Sequence, residues 1–166
     1  MDKTQLNWIK PVKTKEFILE SLEGKSLEYK FHKSIEYNQL WLVKECIQNG
    51  INPAINNDWA IRTSALNGFT KIVKFLLKDI RVNPSVMNNS PIIFAASNGH
   101  LHTMNELFMD PRVDPSDNDN KAFIKALENE HAGIVMTLLK DIRVKNKLTP
   151  KMKYDMGELF TSKIKF

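Results

Sequence analysis

The sequence holds one cysteine in 166 residues, Cys46, which excludes an internal disulfide and any Cys-x-x-Cys metal or redox pair. Cys46 falls in the helical pattern Leu42, Val43, Cys46, Ile47, where it reads as a small core hydrophobe. No apolar run approaches the ~18 residues of a membrane-spanning helix, and the opening Met-Asp-Lys-Thr-Gln-Leu-Asn has no apolar signal-peptide core. The expected location is the cytoplasm. A glycine-rich phosphate loop and a His-Glu-x-x-His helix are both missing. The aspartate-rich stretch Asp114 to Asp119 lacks the glycine and the closing glutamate of a calcium loop. His32 has no acidic or cysteine neighbour at a helical spacing that would activate it, and the pair His100 and His102 has no further ligands beside it. These absences point away from an enzyme: no catalytic residue, cofactor or metal ligand is assigned.

What is present is repetition. Three copies open at Trp59, Ser90 and Lys121, 31 residues apart, and read WAIRTSALNGFTKIVKFLLKDIRVNPSVMNN, SPIIFAASNGHLHTMNELFMDPRVDPSDNDN and KAFIKALENEHAGIVMTLLKDIRV. In the first of them Ile72, Val73, Leu76 and Leu77 share one helical face and Lys71, Lys74 and Lys78 the other, so that helix packs on one side only. The segment before it, Ala60 to Leu66, carries Ser64 and Ala65, which become Ala95 and Ala96 one copy later; small residues let paired helices approach closely. Asn67-Gly68 and Asn98-Gly99 stand between the two helices, where glycine can take the positive φ that ends the first one. The last copy has Glu130 there, so its turn is expected to be strained or differently built. Asp79-Ile80-Arg81-Val82, Asp110-Pro111-Arg112-Val113 and Asp141-Ile142-Arg143-Val144 follow the second helices, each valine an apolar anchor for its loop. A period of this size predicts an all-α solenoid in which every helix pair buries its apolar face against its neighbours.

The pattern resembles the ankyrin repeat. That family's Thr-Pro-Leu-His opening is closest at Ser90-Pro91-Ile92-Ile93, its Ala-Ala-x-x-Gly-His at Ala95-Ala96-Ser97-Asn98-Gly99-His100, and its closing leucine pair at Leu76-Leu77, Leu107-Phe108 and Leu138-Leu139. His100 then occupies the family's histidine place, and His131 repeats it. The units are shorter than the family's usual ~33 residues, and the loss falls in the finger loop, which is similar to the Asp-Pro-Ser-x-Asn type of large DNA viruses, some phages and some amoebae. Tetratricopeptide repeats, the competing helical hairpin, need a Trp, a Leu-Gly and a Tyr at fixed places that do not recur here.

The expected organisation is an N-terminal arm and capping helix over residues 1–26, repeats over 27–58, 59–89, 90–120 and 121–148, and a C-terminal capping helix over 149–166. Trp8 is the expected anchor of the arm, and Thr14 the cap of a helix with Phe17, Ile18 and Leu22 as its stripe and Gly24 as its stop. Thr149 and Pro150 open the last helix, whose Met152, Met156, Leu159 and Phe160 make one stripe.

The net charge is +5, and residues 141–166 supply most of it, with seven bases including Lys151, Lys153, Lys163 and Lys165 against three acids. Asp110, Asp114, Asp117, Asp119, Glu128 and Glu130 form an acidic stretch before that end. The resemblance implies a protein partner in a concave groove, touching the fingers at Asn57, Asp58, Asn88, Asn89, Asp119 and Asn120. It implies contacts on the first helices at Trp59, Arg62, Leu66, Asn67, Ser90, Ser97, Asn98, Lys121, Glu128 and Asn129. Trp59 and Arg62 lie one helical turn apart and are the residue types that dominate interface energy. The asparagines also suit loop geometry, since Asn accepts left-handed backbone and bonds its own backbone. Asp117, Asp119 and Glu128 are expected to lie close together and to face a basic patch on the partner. The expected function is a non-catalytic interaction module of viral or phage type that inhibits or sequesters a host protein. The alternative is a nucleic-acid-associated protein using the basic C-terminal end, for which base-reading motifs and interleaved aromatics are missing. Nothing in the sequence specifies an oligomeric state.

Overall fold

A computed structural model describes residues 14–163, with side chains to 161. Trp8 and Lys165 lie outside the described residues, as does the side chain of Lys163. Eleven helices make up the described chain: α1 (Lys15–Ser21), α2 (Leu27–Glu36), α3 (Leu40–Gln48), α4 (Ile55–Leu66), α5 (Thr70–Leu76), α6 (Val86–Ser97), α7 (Leu101–Phe108), α8 (Asp117–Glu128), α9 (Ala132–Leu138), α10 (Ile142–Asn146) and α11 (Pro150–Lys163). Helices α2, α4, α6 and α8 stack in one row and α11 closes it against α8; α3, α5, α7 and α9 stack in a second row. The core runs between the rows. It is built from Ile72, Val73 and Leu76 and their counterparts Met104, Leu107, Ile134, Val135 and Leu138, all buried. Ser34, Ser64, Ala65, Ala95, Ala96 and Ala126 are fully buried where the rows approach.

Each first helix turns into the second through a left-handed residue and a pair of backbone bonds. Phe69 N–H donates to the Ser64 carbonyl at 2.9 Å and Gly68 N–H to that of Ala65 at 3.3 Å, the Schellman pattern. The same two bonds recur at His100 and Gly99, at Gln39 and Asn38, and at His131 and Glu130. Glu130 takes φ 57°, beside 71° for Gly68 and 74° for Gly99, so its turn is built like the others and bears a side chain in a left-handed position. Glycine is needed elsewhere for a second reason. A Cβ on Gly68 would lie 2.6 Å from Nδ1 of His100, and one on Gly99 would lie 2.7 Å from Cε1 of His131. These histidines reach back one unit, Nε2 of His100 donating to the Leu66 carbonyl at 3.0 Å and that of His131 to the Ser97 carbonyl at 3.1 Å.

The loops after the second helices are pinned by Val82, Val113 and Val144, all buried. Arg81, Arg112 and Arg143 each grip the aspartate two residues earlier with two guanidinium nitrogens, and hold Asp79, Asp110 and Asp141 below the ordinary carboxylate range. Arg112 also donates to the Leu77 carbonyl at 2.8 Å and the Val82 carbonyl at 3.0 Å, which ties it to the preceding unit.

At the ends, the Thr14 side chain accepts from Phe17 N–H at 3.3 Å, and Ile18 and Leu22 are buried. Phe17 departs from the expected stripe: it is 52% exposed, while Ile18 and Leu22 are buried. Met152 and Leu159 of α11 are buried, with Met156 and Phe160 packed beside them, while Tyr154 points away. Burial raises the Cys46 thiol to about 11, so it stays protonated and inert at neutral pH.

Candidate functional site

The finger loops have an unusual backbone. Asn56, Asn57 and Asp58, then Met87, Asn88 and Asn89, then Asn118, Asp119 and Asn120, take three consecutive left-handed conformations with φ between 50° and 63°. L-residues enter this region singly as a rule, and Asn and Asp do so at least cost, which accounts for the composition. Each turn is closed by a backbone bond from its third residue to the carbonyl four back: Asp58 to Ala54 at 3.1 Å, Asn89 to Ser85 at 3.0 Å and Asn120 to Ser116 at 3.1 Å. Ahead of it Asn52, Asn83 and Asp114 accept from the backbone N–H two residues on, across a buried proline. The short finger is therefore an Asx turn followed by one left-handed turn.

Burial at the third residue of that turn separates the candidate residues. Asn57, Asn88 and Asp119, the middle residues, are exposed and form a row across the units. Asp58, Asn89 and Asn120 are buried and do not face a partner. They staple each unit to the next: the Asp58 carboxylate accepts from Asn83 N–H at 2.8 Å, the Asn89 amide oxygen accepts from Asp114 N–H at 3.0 Å, and Asn120 donates to the Val144 carbonyl at 3.0 Å. In the last unit the corresponding backbone N–H, that of Lys145, bonds Asp141 within α10, and the Asn120 carbonyl oxygen is left buried without a partner. Asn89 also donates to Asp117 at 2.8 Å.

The first helices hold the rest. Trp59 is half-buried, the His32 ring standing edge-on to it with centroids 4.7 Å apart. Arg62 is half-buried too, and is spent on its own finger, donating to the carbonyls of Asn57 at 2.9 Å and Asn56 at 3.2 Å. Of the expected solvent-facing pair, Arg62 thus supports the finger and Trp59 packs against His32; Leu66, 43% exposed, is open. Asn67 and Asn98 cap their own helix ends on the carbonyls of Thr63 and Phe94, and Asn129 donates across units to Ser97 at 2.7 Å. Ser90 is buried and bonded to the Val86 carbonyl. Lys121 is half-buried.

The expected cluster of Asp117, Asp119 and Glu128 is split by the length of α8. Nine residues separate Asp119 from Glu128, roughly 13 Å of helix rise. Glu128 pairs with Lys125 at 2.5 Å, and that lysine, with Lys121 and Lys151 nearby, holds its carboxyl below the usual range.

Beyond these residues lies an opening that periodicity did not show. Helix α11 leans on α8 and leaves a groove of about 330 Å³ floored by Ile124, Leu127 and Met152, with Glu128, Lys151 and Asp155 at its rim. It continues into a second hollow of about 360 Å³, bounded by Leu127, Leu159, Glu130 and Glu158. The signal was divided: Ile124 and Leu127, partly buried, belong to one period, and Met152 and Leu159, buried, belong to another. Among the described residues no three His, Cys, Asp or Glu side chains gather as a metal site, and His102 is exposed. None of the described helices is long and apolar enough to cross a membrane.

A family model described as ankyrin repeats (3 copies) matches residues 31–119 and 63–148. A comparison with curated proteins gives no match. With most of its length covered by that model and its helix pairs stacked in register, the chain belongs to the ankyrin repeat family.

Proposed function

We propose that the chain is a non-catalytic protein-binding module, with residues 27–148 as the recognition solenoid and the terminal helices as caps. The partner lies along the first-helix row, over the finger tips Asn57, Asn88 and Asp119 and the exposed Leu66, and into the groove between α8 and α11. One observation carries this reading: that groove has an apolar floor of three side chains on the same row as the fingers, large enough to take an anchor residue. Glu128 and Asp155 edge the hollows already paired with Lys125 and Lys151, and Glu130 and Glu158 add acid at the second, which supports a partner with a basic patch. The short fingers resemble those of large DNA viruses, some phages and some amoebae, and this resemblance supports a viral or phage factor that meets a host protein in the cytoplasm and inhibits or sequesters it.

Cross-linking of proteins captured from host lysate tests the reading. Links should map to Lys121, Lys125 and Lys151, and Leu127→Glu should lower capture about tenfold or more, the scale of losing one buried anchor. Links confined to the second-helix row would sink it. A nucleic-acid role for the basic end has less support, because Lys147 is bonded to the Ser116 carbonyl at 2.8 Å and Lys151 to Asp155 at 3.4 Å.

A further inference from the structure

We propose that a second docking surface lies on the opposite row, between α3 and α5, and that it takes an acidic segment of a partner protein centred on one hydrophobic side chain. Lys44 from α3 and Lys71, Lys74 and Lys78 from α5 and the turn after it surround a hollow of about 220 Å³ whose floor is Leu40 and Phe75. All four lysines are exposed. The acids on neighbouring elements leave most of this charge uncompensated. Glu106 of α7 takes Lys74 at 2.9 Å, Asp79 is held by Arg81, and Glu45 stands beside Lys44 on α3.

Like charges gathered around a low-dielectric floor repel one another, and an incoming carboxylate relieves several of those repulsions together. The hollow is smaller than the ~300 Å³ at which small-molecule sites begin, so it fits one apolar side chain and not a metabolite. Phe75 is partly buried, and the Lys44 ammonium lies 5.6 Å from its ring. A nucleic-acid strand would need successive open aromatics on which to stack, and the groove supplies one, already covered by a cation. An acidic peptide matches both the charge and the floor.

The test is fluorescence anisotropy with the full chain and a labelled peptide of Asp and Glu flanking a single Phe. Binding should weaken as salt rises, fall roughly tenfold when Phe is replaced by Ser, and fall at least as far in Lys71→Glu/Lys78→Glu. Both lysines are exposed, so circular dichroism of the variant should match the parent. The proposal is overturned if the peptide binds the variant as tightly as the parent, or if the Ser peptide binds as tightly as the Phe peptide. It is also overturned if a thymidine oligonucleotide of equal length binds at least as tightly as the peptide, or if the lysine variant instead abolishes self-association of the chain. Leu127→Glu should leave this binding unchanged, which separates its failure from that of the first-helix surface.

Discussion

Asp58 is the one acid among three equivalent staples, the others being Asn89 and Asn120. Burial raises its carboxyl above the usual range, against the opposing pull of Asn83 N–H and Arg62. A group so shifted costs stability above its folded pKa, where it must be ionised, and the cost disappears as pH falls through that value. Asn keeps the accepting oxygen and removes the charge. Asp58→Asn should therefore raise the unfolding free energy measured by urea at neutral pH by about 0.5–2 kcal/mol, the yield of a change toward a repeat's own consensus. The advantage should shrink on mild acidification. A loss at neutral pH would mean that the charge itself, through Arg62, holds the finger.

At the scale of the helix, Leu76 is fully buried between the rows, and Leu76→Ala should cost about 2–5 kcal/mol in chemical denaturation. A change within error would remove it from the core. Its place was legible because Ile72, Val73, Leu76 and Leu77 repeat one face at a helical period, and the same face returns a unit later in Met104 and Leu107. The fingers were legible only in composition. Asn and Asp tolerate left-handed backbone, but nothing in their spacing reveals three such residues in succession, or that the third turns inward while the second stays in water. Met87 gives no hint at all, since a side chain of its kind carries no preference for φ 51°. The misread charges have a common cause: Arg62 and Glu128 find local partners that depend on where a turn of backbone presents its carbonyls and lysines. The groove under α11 lies between two helices from separate periods, which no single period contains.

Among the described residues the main helix contacts run within a unit or between adjacent ones, so stability accumulates from the units and their interfaces. The Asp79–Arg81, Asp110–Arg112 and Asp141–Arg143 clasps recur in the last three of the four units and share a pH response. Their carboxyls sit lower when folded than the ~3.9 of a free aspartate. They therefore stabilise fully above that value, and the contribution is lost as pH falls through the folded pKa values. Thermal melts should show stability falling from about pH 4 downward, and the triple Asp→Asn variant should flatten that slope. An unchanged slope would assign acid sensitivity elsewhere. The pairing of glycine with the next unit's histidine bears on how such a gene can grow. Gly68 and Gly99 each leave room for an imidazole arriving from the following unit; Glu130, onto which no histidine folds back among the described residues, carries its own Cβ there. A duplication that adds a histidine-bearing copy directly after the unit of Gly68 or that of Gly99 finds its socket ready made. The same copy appended after the fourth meets an occupied one, so one codon limits where recombination can lengthen the protein.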